Sequence, residues 1–429
     1  MEKPRNSCML HGAIETILQI SGAVPLIHST AGCSVQHNYS GFSIPSSNLF
    51  ERQVIFGATS RLREQIKNTV KVANGELYVV LSGCTAELIG DDVPAMVKEA
   101  EQQGEKITFV EAAGFKGSFH DGYVATFKKL ADYLLSNENH DQVKEVGLVN
   151  ILGIVPNQDI FWQGELLEIK RIMENIGLKV NTLFGIDGTI DEWEKISNAQ
   201  LNLVLSPWGI EIAEYLKKKF ETPYLNLNNL PVGLEETSKF LVEVSKTINI
   251  EEKIVSDYIE KERLEFNYYF NKLSQLYYDY DLQRNFALVV ESGLVVGITK
   301  FLTNTLGLIP AVIIVTDKVD VDYKNYVNSE LKTSEIVFTD DSRVINEYIT
   351  ERNIELIIGS SLEKAIAEKL NVPFVLAAYP AIDELILNRS FVGFRGAIEL
   401  LEILFSTIQK HERLINKQLE NEILQLINN

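Results

Sequence analysis

All three cysteines of this 429-residue chain, Cys8, Cys33 and Cys84, lie within its first 84 residues. Five of its six histidines also lie within the first 140 residues. Thiolates and imidazoles are the side chains that most readily bind zinc and iron–sulfur clusters. A metal centre, if the chain has one, is therefore expected in the first third of the sequence.

Two of the cysteines follow a predicted strand through a short turn. Cys33 comes after the apolar run 24–28 and directly follows Gly32, and Cys84 comes after the next apolar run and directly follows Gly83. In open α/β sheets, ligands bind at the edge where strands turn into helices. Glycine allows the backbone to approach a bulky group closely, and the amides at a helix start stabilise a thiolate. Cys33 and Cys84 are therefore candidate ligands.

The residues alone leave several kinds of site open. The three cysteines could be buried structural residues. Zinc could bind Cys8-x-x-His11 with Cys33-x-x-x-His37, a common set of two thiolates and two imidazoles that leaves Cys84 unexplained. An iron–sulfur cluster could bind all three cysteines with a fourth ligand from another group or another chain, which would place it at a subunit interface. Cys84 as a catalytic nucleophile is the weakest alternative, because no histidine is evidently paired with it.

Composition excludes several classes of partner. The net charge is −19, which argues against a nucleic-acid backbone or an anionic membrane as the partner. No apolar run approaches the roughly 20 residues of a membrane span, and the start of the chain lacks the shape of a signal peptide. An odd number of cysteines does not suggest a disulfide framework. We therefore expect a protein of the reducing cytoplasm.

Short apolar runs alternate with amphipathic helical stretches along the whole chain, which predicts an α/β fold of parallel, doubly wound sheets covered on both faces. A polar break before residue 143 and a long charged and aromatic helical stretch at 248–284 divide this pattern. We predict three domains, 1–142, 143–283 and 284–429, with the aromatic stretch as a packed inter-domain helix. Strands are predicted at 77–81, 107–111, 146–151, 203–206, 286–291, 312–316, 336–339, 356–358 and 374–377.

The segments around the cysteines resemble the nitrogenase component 1 family. The clearest matches are VPLIHSTAGC at 24–33, VIFG at 54–57, SGCTAELIGDDV at 82–93 and FKGSFHDGY at 115–123. Further similar segments are NLPVGLEET at 229–237, IGSS at 358–361, YPAID at 379–383 and VGFRG at 392–396. Together they extend over nearly the whole chain in the family's order.

This resemblance implies three Rossmann-like domains and a homologous α-like partner subunit, in an α₂β₂-like heterotetramer. It implies that Cys8, Cys33 and Cys84 bind an iron–sulfur cluster, either [4Fe–4S] or a larger cluster shared with the partner chain. It also implies that a separate ATP-dependent iron protein supplies electrons, with Phe56 at the face where that reductase docks. Asp91 and Asp92 are expected to cap a helix and order the loop behind Cys84 rather than to bind metal.

Within that family, the chain resembles the β-type subunits. The α-type chain holds an iron–molybdenum cofactor through a Cys and a His in its later domains, whereas only His411 is available there in this sequence. The resemblance thus implies a subunit that relays electrons to an active site in its partner. A scaffold subunit on which a nitrogenase-type metallocluster is assembled is the alternative.

Overall fold

Three parallel β-sheets, each flanked by helices, make up the molecule. The computed structural model describes residues 3–5, 7–35, 44–136, 143–280, 282–332 and 335–428, and every strand pair within these ranges is parallel. The sheets are formed in chain order, by strands from residues 23–111, 145–226 and 285–376. The α/β prediction with three parallel-sheet domains is therefore confirmed. The predicted boundary at 142 lies outside the described residues.

The first sheet has the strand order β1-β2-β3 and carries the cysteines. Its strands are β1 (Ala23–His28), β2 (Leu77–Ser82) and β3 (Ile107–Glu111). Its helices are α1 (Met9–Leu18), α2 (Ala31–Val35), α3 (Glu51–Phe56), α4 (Thr59–Val72), α5 (Cys84–Leu88), α6 (Val93–Gln102) and α7 (Phe119–Leu134).

The second sheet has the order β5-β4-β6-β7. Its strands are β4 (Glu145–Leu152), β5 (Lys179–Asn181), β6 (Ala199–Val204) and β7 (Tyr224–Asn226). Its helices are α8 (Trp162–Asn175), α9 (Ile190–Glu194), α10 (Ile210–Phe220) and α11 (Gly233–Ile248), and the long helix α12 (Glu252–Asp279) follows.

The third sheet has the order β10-β9-β8-β11-β12, with the first of its strands at the centre. Its strands are β8 (Asn285–Val290), β9 (Ile309–Val315), β10 (Ile336–Phe338), β11 (Leu356–Gly359) and β12 (Phe374–Leu376). Its helices are α13 (Ser292–Lys300), α14 (Val321–Glu330), α15 (Ser342–Thr350), α16 (Lys364–Leu370) and α17 (Gly393–Asn428).

Each of the nine predicted strands overlaps an observed one, because buried parallel strands leave a continuous apolar run in the sequence. The prediction at 203–206 is displaced, since β6 ends at Val204 and a 3₁₀ turn begins at Pro207. The short strands β5 and β7 were not predicted. The aromatic stretch forms α12, with Tyr258 and Phe266 buried and Tyr278 exposed.

Helices α1 and α7 cross with their backbones in contact. A Cβ atom added to Gly12 would lie 1.9 Å from the carbonyl oxygen of Phe119, and one added to Gly122 would lie 2.1 Å from that of Met9. This close crossing fixes the start of α1 beside the start of α7. No helix within the described ranges is both long and apolar enough to cross a membrane.

Candidate metal centre at the edge of the first sheet

The loops that follow β1, β2 and β3 leave the first sheet at one edge. His28 at the end of β1 is in register with Ser82 at the end of β2, and Ser82 is in register with Glu111 at the end of β3. Parallel strands end together, so the loops carrying Cys33, Cys84 and Gly114 start side by side.

Cys8 and Cys84 pack against the same glycine, Gly114. The amide of Gly114 donates a hydrogen bond to Cys84 Sγ at 3.1 Å. A Cβ atom at position 114 would lie 2.9 Å from Cys8 Cβ, 3.4 Å from Cys84 Sγ and 3.5 Å from Cys8 Sγ. The two thiols, 76 residues apart in the sequence, are therefore brought together on one piece of backbone that only glycine fits.

The backbone around Cys8 is held by the start of α7. Cys8 and Ser118 form an antiparallel bridge. Met9 N–H donates to the carbonyl of Gly117 at 3.1 Å, and Phe119 N–H donates to the carbonyl of Ser7 at 3.1 Å. Cys8 itself is exposed in this chain, whereas Cys33 and Cys84 are half-buried.

Ser29 connects the Cys33 loop with the turn before Cys84. Its hydroxyl lies 3.3 Å from Cys33 Sγ. It also lies only 2.5 Å from where a Cβ of Gly83 would be, so the absence of a side chain at Gly83 makes room for the Ser29 hydroxyl. Gly32, next to Cys33, is exposed, and no described atom lies within 4 Å of a Cβ built there.

Glu87, one helical turn after Cys84, holds the loop that contains Gly114. Its carboxylate accepts hydrogen bonds from Ser82 Oγ at 2.8 Å and from Ala113 N–H at 3.2 Å, and it pairs with Lys116 at 2.6 Å. Sequence reasoning missed Gly114, Ser29 and Glu87 because each acts on a residue of another loop. The only local signal for any of them was Glu87, an acidic residue in the first turn of the helix that begins at Cys84.

A buried histidine–aspartate pair lies behind the cysteines. His28 Nε2 and Asp91 Oδ2 are 3.0 Å apart, and His28 Nδ1 lies 3.0 Å from Ser47 Oγ. The other oxygen of Asp91 accepts from Ala58 N–H at 2.8 Å. Burial lowers the pKa of His28, and the Asp91 carboxylate opposes that effect.

Asp92 caps α6 by accepting from Ala95 N–H at 3.0 Å. The geometry thus agrees with the structural roles expected for both aspartates.

The zinc alternative receives no support from the described residues. Both ring nitrogens of His11 are directed at protein groups, Nδ1 at Ser7 Oγ and Nε2 at Glu15 Oε1 at 3.7 Å. His37 lies outside the described residues. In the described part of the chain, no three His, Cys, Asp or Glu side chains come together as ligands of a single metal ion.

Large exposed apolar side chains surround this edge of the sheet. Leu88, one turn after Cys84, is 75% exposed, and Phe115, directly after Gly114, is 59% exposed. Phe56, at the end of α3, is 81% exposed, and Ile55 beside it is also exposed. Exposed apolar side chains of this size are candidates for contact with a partner protein. We call Leu88, Phe115 and the three cysteines the cysteine face, and Ile55 with Phe56 the α3 tip.

A family model described as nitrogenase component 1 type oxidoreductase matches residues 8–409, from the first cysteine to the C-terminal helix. The chain belongs to the nitrogenase component 1 family. It is thus a subunit of an oxidoreductase. The matched range includes all three sheets.

Several relatives within the family are β chains. The chain is 27% identical over 441 residues to the nitrogenase molybdenum–iron protein beta chain of Methanothermobacter marburgensis, covering 94% of each protein. It is 24% identical to the corresponding chain of Clostridium pasteurianum, covering 94% of this chain and 92% of that one. It is also 24% identical to the nitrogenase iron–iron protein beta chain of Rhodobacter capsulatus, covering 94% and 93%.

The fold is also similar to a solved nitrogenase structure. A chain of the structure described as nitrogenase Cp1 at pH 6.5 superposes with a TM-score of 0.79 at 23% identity, covering 96% of this chain and 93% of that one. At this identity the similarity shows the fold, which is that of the family.

Proposed function

We propose that this chain is a β-type subunit that relays electrons in a nitrogenase-like component 1 oxidoreductase. In this proposal Cys8, Cys33 and Cys84 bind an iron–sulfur cluster, [4Fe–4S] or larger, whose remaining ligands come from a homologous α-like subunit. The observation that carries the proposal is the packing of Cys8 and Cys84 against Gly114 on an exposed apolar face. The β-chain relatives support the same assignment.

The donor set fits such a cluster. Thiolates are the usual protein ligands of iron–sulfur clusters, and all three of these cysteines lie at or near helix starts. The Gly114 amide donates to Cys84 Sγ, and hydrogen bonds of this kind stabilise a thiolate and tune a cluster's potential. Once bound, the cluster would accept and pass on electrons.

The surroundings of the cysteines suggest where the two partners bind. Leu88 and Phe115 lie next to the ligands, so a subunit that completes the cluster would cover them and exclude water from it. Phe56 lies on the α3 tip, and Ala58, two residues later, donates its backbone N–H to Asp91. We assign the cysteine face to the homologous α-like partner and the α3 tip to the ATP-dependent iron protein. The assembly would be a heterotetramer, and the substrate-reducing site would lie in the partner.

The test is anaerobic co-expression of this chain with a homologous α-type subunit, followed by iron, sulfide and zinc analysis and EPR of the purified complex. We expect iron and sulfide in similar amounts and a dithionite-dependent signal. Both should be lost in Cys84→Ser. Asp92→Asn, in the same loop but acting only as a helix cap, should retain them and serves as the matched control.

Other outcomes distinguish the alternatives. Zinc without sulfide, or full iron and turnover in Cys84→Ser, would contradict the proposal. A cluster that leaves the complex for a metal-free acceptor enzyme, with no substrate reduction by the complex itself, would instead support the scaffold role.

A further inference from the structure

The N-terminal segment before Cys8 is anchored in the third sheet, not in the first. Arg5 is 3% exposed and forms an ion pair with Glu363, which is 1% exposed. Its guanidinium also donates to Ser342 Oγ at 3.0 Å and to Ser360 Oγ at 3.3 Å. Lys3 adds a more exposed ion pair with Asp340 at 2.6 Å. The anchoring residues are more than 330 positions away along the chain.

Arg5 occupies the part of the third sheet where an open α/β sheet usually binds a ligand. The strand order β10-β9-β8-β11-β12 reverses at β8, so the crevice lies between the loops after β8 and β11. Ser360 and Glu363 belong to the loop after β11, and Glu291 to the loop after β8. Burial and the nearby Asp317 raise the pKa of Glu291 well above its ordinary value, and the charge of Arg5 opposes this rise only weakly. The chain's own arginine is thus the cationic occupant of this crevice.

Glu363 is held rigidly to receive the arginine. Its second oxygen accepts from the Ser360 amide at 2.9 Å and from the Ser360 hydroxyl at 2.8 Å. A guanidinium is permanently charged and presents several donors in a fixed plane, so this contact is directional as well as electrostatic. Removing only one partner of such a buried pair strongly destabilises the folded protein, because the other charge remains buried.

Only two residues separate Arg5 from Cys8 in the sequence. On its other side, Cys8 is held by the bridge to Ser118 and by the bonds of Ser7 and Met9 to the start of α7. The segment therefore runs from the third sheet to the first, and Cys8 lies at its end beside the first sheet. Any movement of Arg5 would be passed to Cys8 over a few bonds.

We propose that Arg5 is a positioning residue for the Cys8 thiol, which it fixes by anchoring the N-terminal segment in the crevice between β8 and β11 of the third sheet. The effect of this anchoring on an iron–sulfur cluster rests on the proposed function. The anchor itself is a property of the chain and is testable without one.

The first experiment is hydrogen exchange by NMR or mass spectrometry on the metal-free complex. Arg5→Met should accelerate hydrogen exchange of the Met9 and Phe119 amides by about tenfold or more. Both amides form hydrogen bonds that connect the N-terminal segment to the start of α7. Arg343→Met, next to Ser342 but with an exposed side chain paired to Glu347, is the matched control and should change neither amide. Unchanged exchange in Arg5→Met would overturn the inference.

The second experiment uses the loaded complex and a readout that simple destabilisation would not move. Arg5→Met should shift the midpoint potential of the cluster and alter its EPR line shape while Cys33 and Cys84 are intact. Glu363→Gln keeps the shape of the residue and removes its charge, so it should reproduce the shift in a weaker form. It also carries the test if Arg5→Met fails to fold. Wild-type potential and line shape in both variants would contradict the role of Arg5.

Failure of the proposed function would look different. A wild-type complex without iron and sulfide would reject the cluster, whereas the exchange comparison in the metal-free protein would still decide whether Arg5 anchors the segment.

Discussion

At the scale of single residues, two adjacent aspartates behind the cysteines have different roles. Asp91 is 3% exposed and accepts from both His28 and the Ala58 amide, which link it to β1 and to the loop after α3. Asp92 is more exposed and caps the first turn of α6. The sequence places both in one G-D-D motif, but only the fold shows that the first connects separate segments while the second acts locally.

We therefore predict unequal effects of the two alanine substitutions. Asp91→Ala leaves a buried histidine and a buried amide without their acceptor and should lower the free energy of unfolding by about 2–4 kcal/mol. Asp92→Ala removes one helix cap and should cost about 1 kcal/mol. Urea unfolding of the metal-free chain checks this, and equal losses in the two variants would contradict the network around Asp91.

A second residue-scale prediction concerns Glu165 on α8, which is fully buried. Its carboxyl group faces the carboxyl of Asp159, and neither of its buried oxygens accepts a hydrogen bond from a described donor. Burial, followed by the nearby charge of Asp159, raises the pKa of Glu165 well above its ordinary value of 4.5. The folded state thus binds this proton more tightly than the unfolded state, and its contribution to stability is lost as the pH rises from 4.5 through the raised pKa.

Glu165→Gln keeps a hydrogen-bond donor for Asp159 but cannot lose a proton. The stability of this variant relative to wild type should increase with pH, by up to about 1.4 kcal/mol per pH unit within that window. Unfolding free energies at pH 5, 6, 7 and 8 measure the trend. For Glu174→Gln, an exposed change on the same helix, the stability should follow that of wild type at every pH. The same result for Glu165→Gln would contradict the raised pKa of Glu165.

At the scale of elements, the crossing of α1 and α7 positions Cys8. The two helices meet through Gly12 and Gly122, at distances that exclude any side chain. The same crossing places the start of α7 beside Cys8, where Ser118 forms the antiparallel bridge. Packing of two helices therefore determines where the first thiol lies relative to the sheet edge that carries the other two.

Gly122→Ala should therefore be strongly destabilising. Its Cβ would lie 2.1 Å from the carbonyl oxygen of Met9, so the helices must separate, and we expect a loss of about 3 kcal/mol. Gly32→Ala is the matched control, because it meets no described atom and lies in a helix at an ordinary backbone angle. Thermal unfolding should show a lower midpoint for Gly122→Ala only. A similar midpoint in the two variants would argue against the close crossing.

At the scale of the whole molecule, the exposed apolar side chains near the cysteines form two surfaces with different proposed partners. Phe115 lies on the cysteine face and Phe56 on the α3 tip. Burial of such surfaces by partner subunits would remove apolar area from water and favour assembly.

The two surfaces should be separable by mutation. Phe115→Asp should abolish co-purification of the homologous subunit, because a charge would be buried at the interface. Phe56→Asp should leave the complex intact but raise the KM for the reductase by about tenfold, the effect of losing about 1.4 kcal/mol. Val72→Asp, an exposed apolar residue at the end of α4, is the control for both measurements. Loss of the α-like subunit in Phe56→Asp would contradict the division.

The sequence by itself determined the class of fold, the order of its sheets and the kind of chemistry available. Apolar runs reveal buried parallel strands, and three cysteines within 84 residues restrict any thiolate site to the first sheet. These features are local, so they can be read from neighbouring residues. The short strands β5 and β7 have only three residues each and exist because a neighbouring strand pairs with them.

Only the tertiary structure decided how the candidate site is put together. Gly114 joins Cys8 to Cys84, and Arg5 reaches Glu363 across the chain, through contacts between residues far apart in sequence. Such contacts depend on how helices cross and how sheets are placed relative to one another. Packing fixes those geometries, and no residue type or spacing encodes them locally.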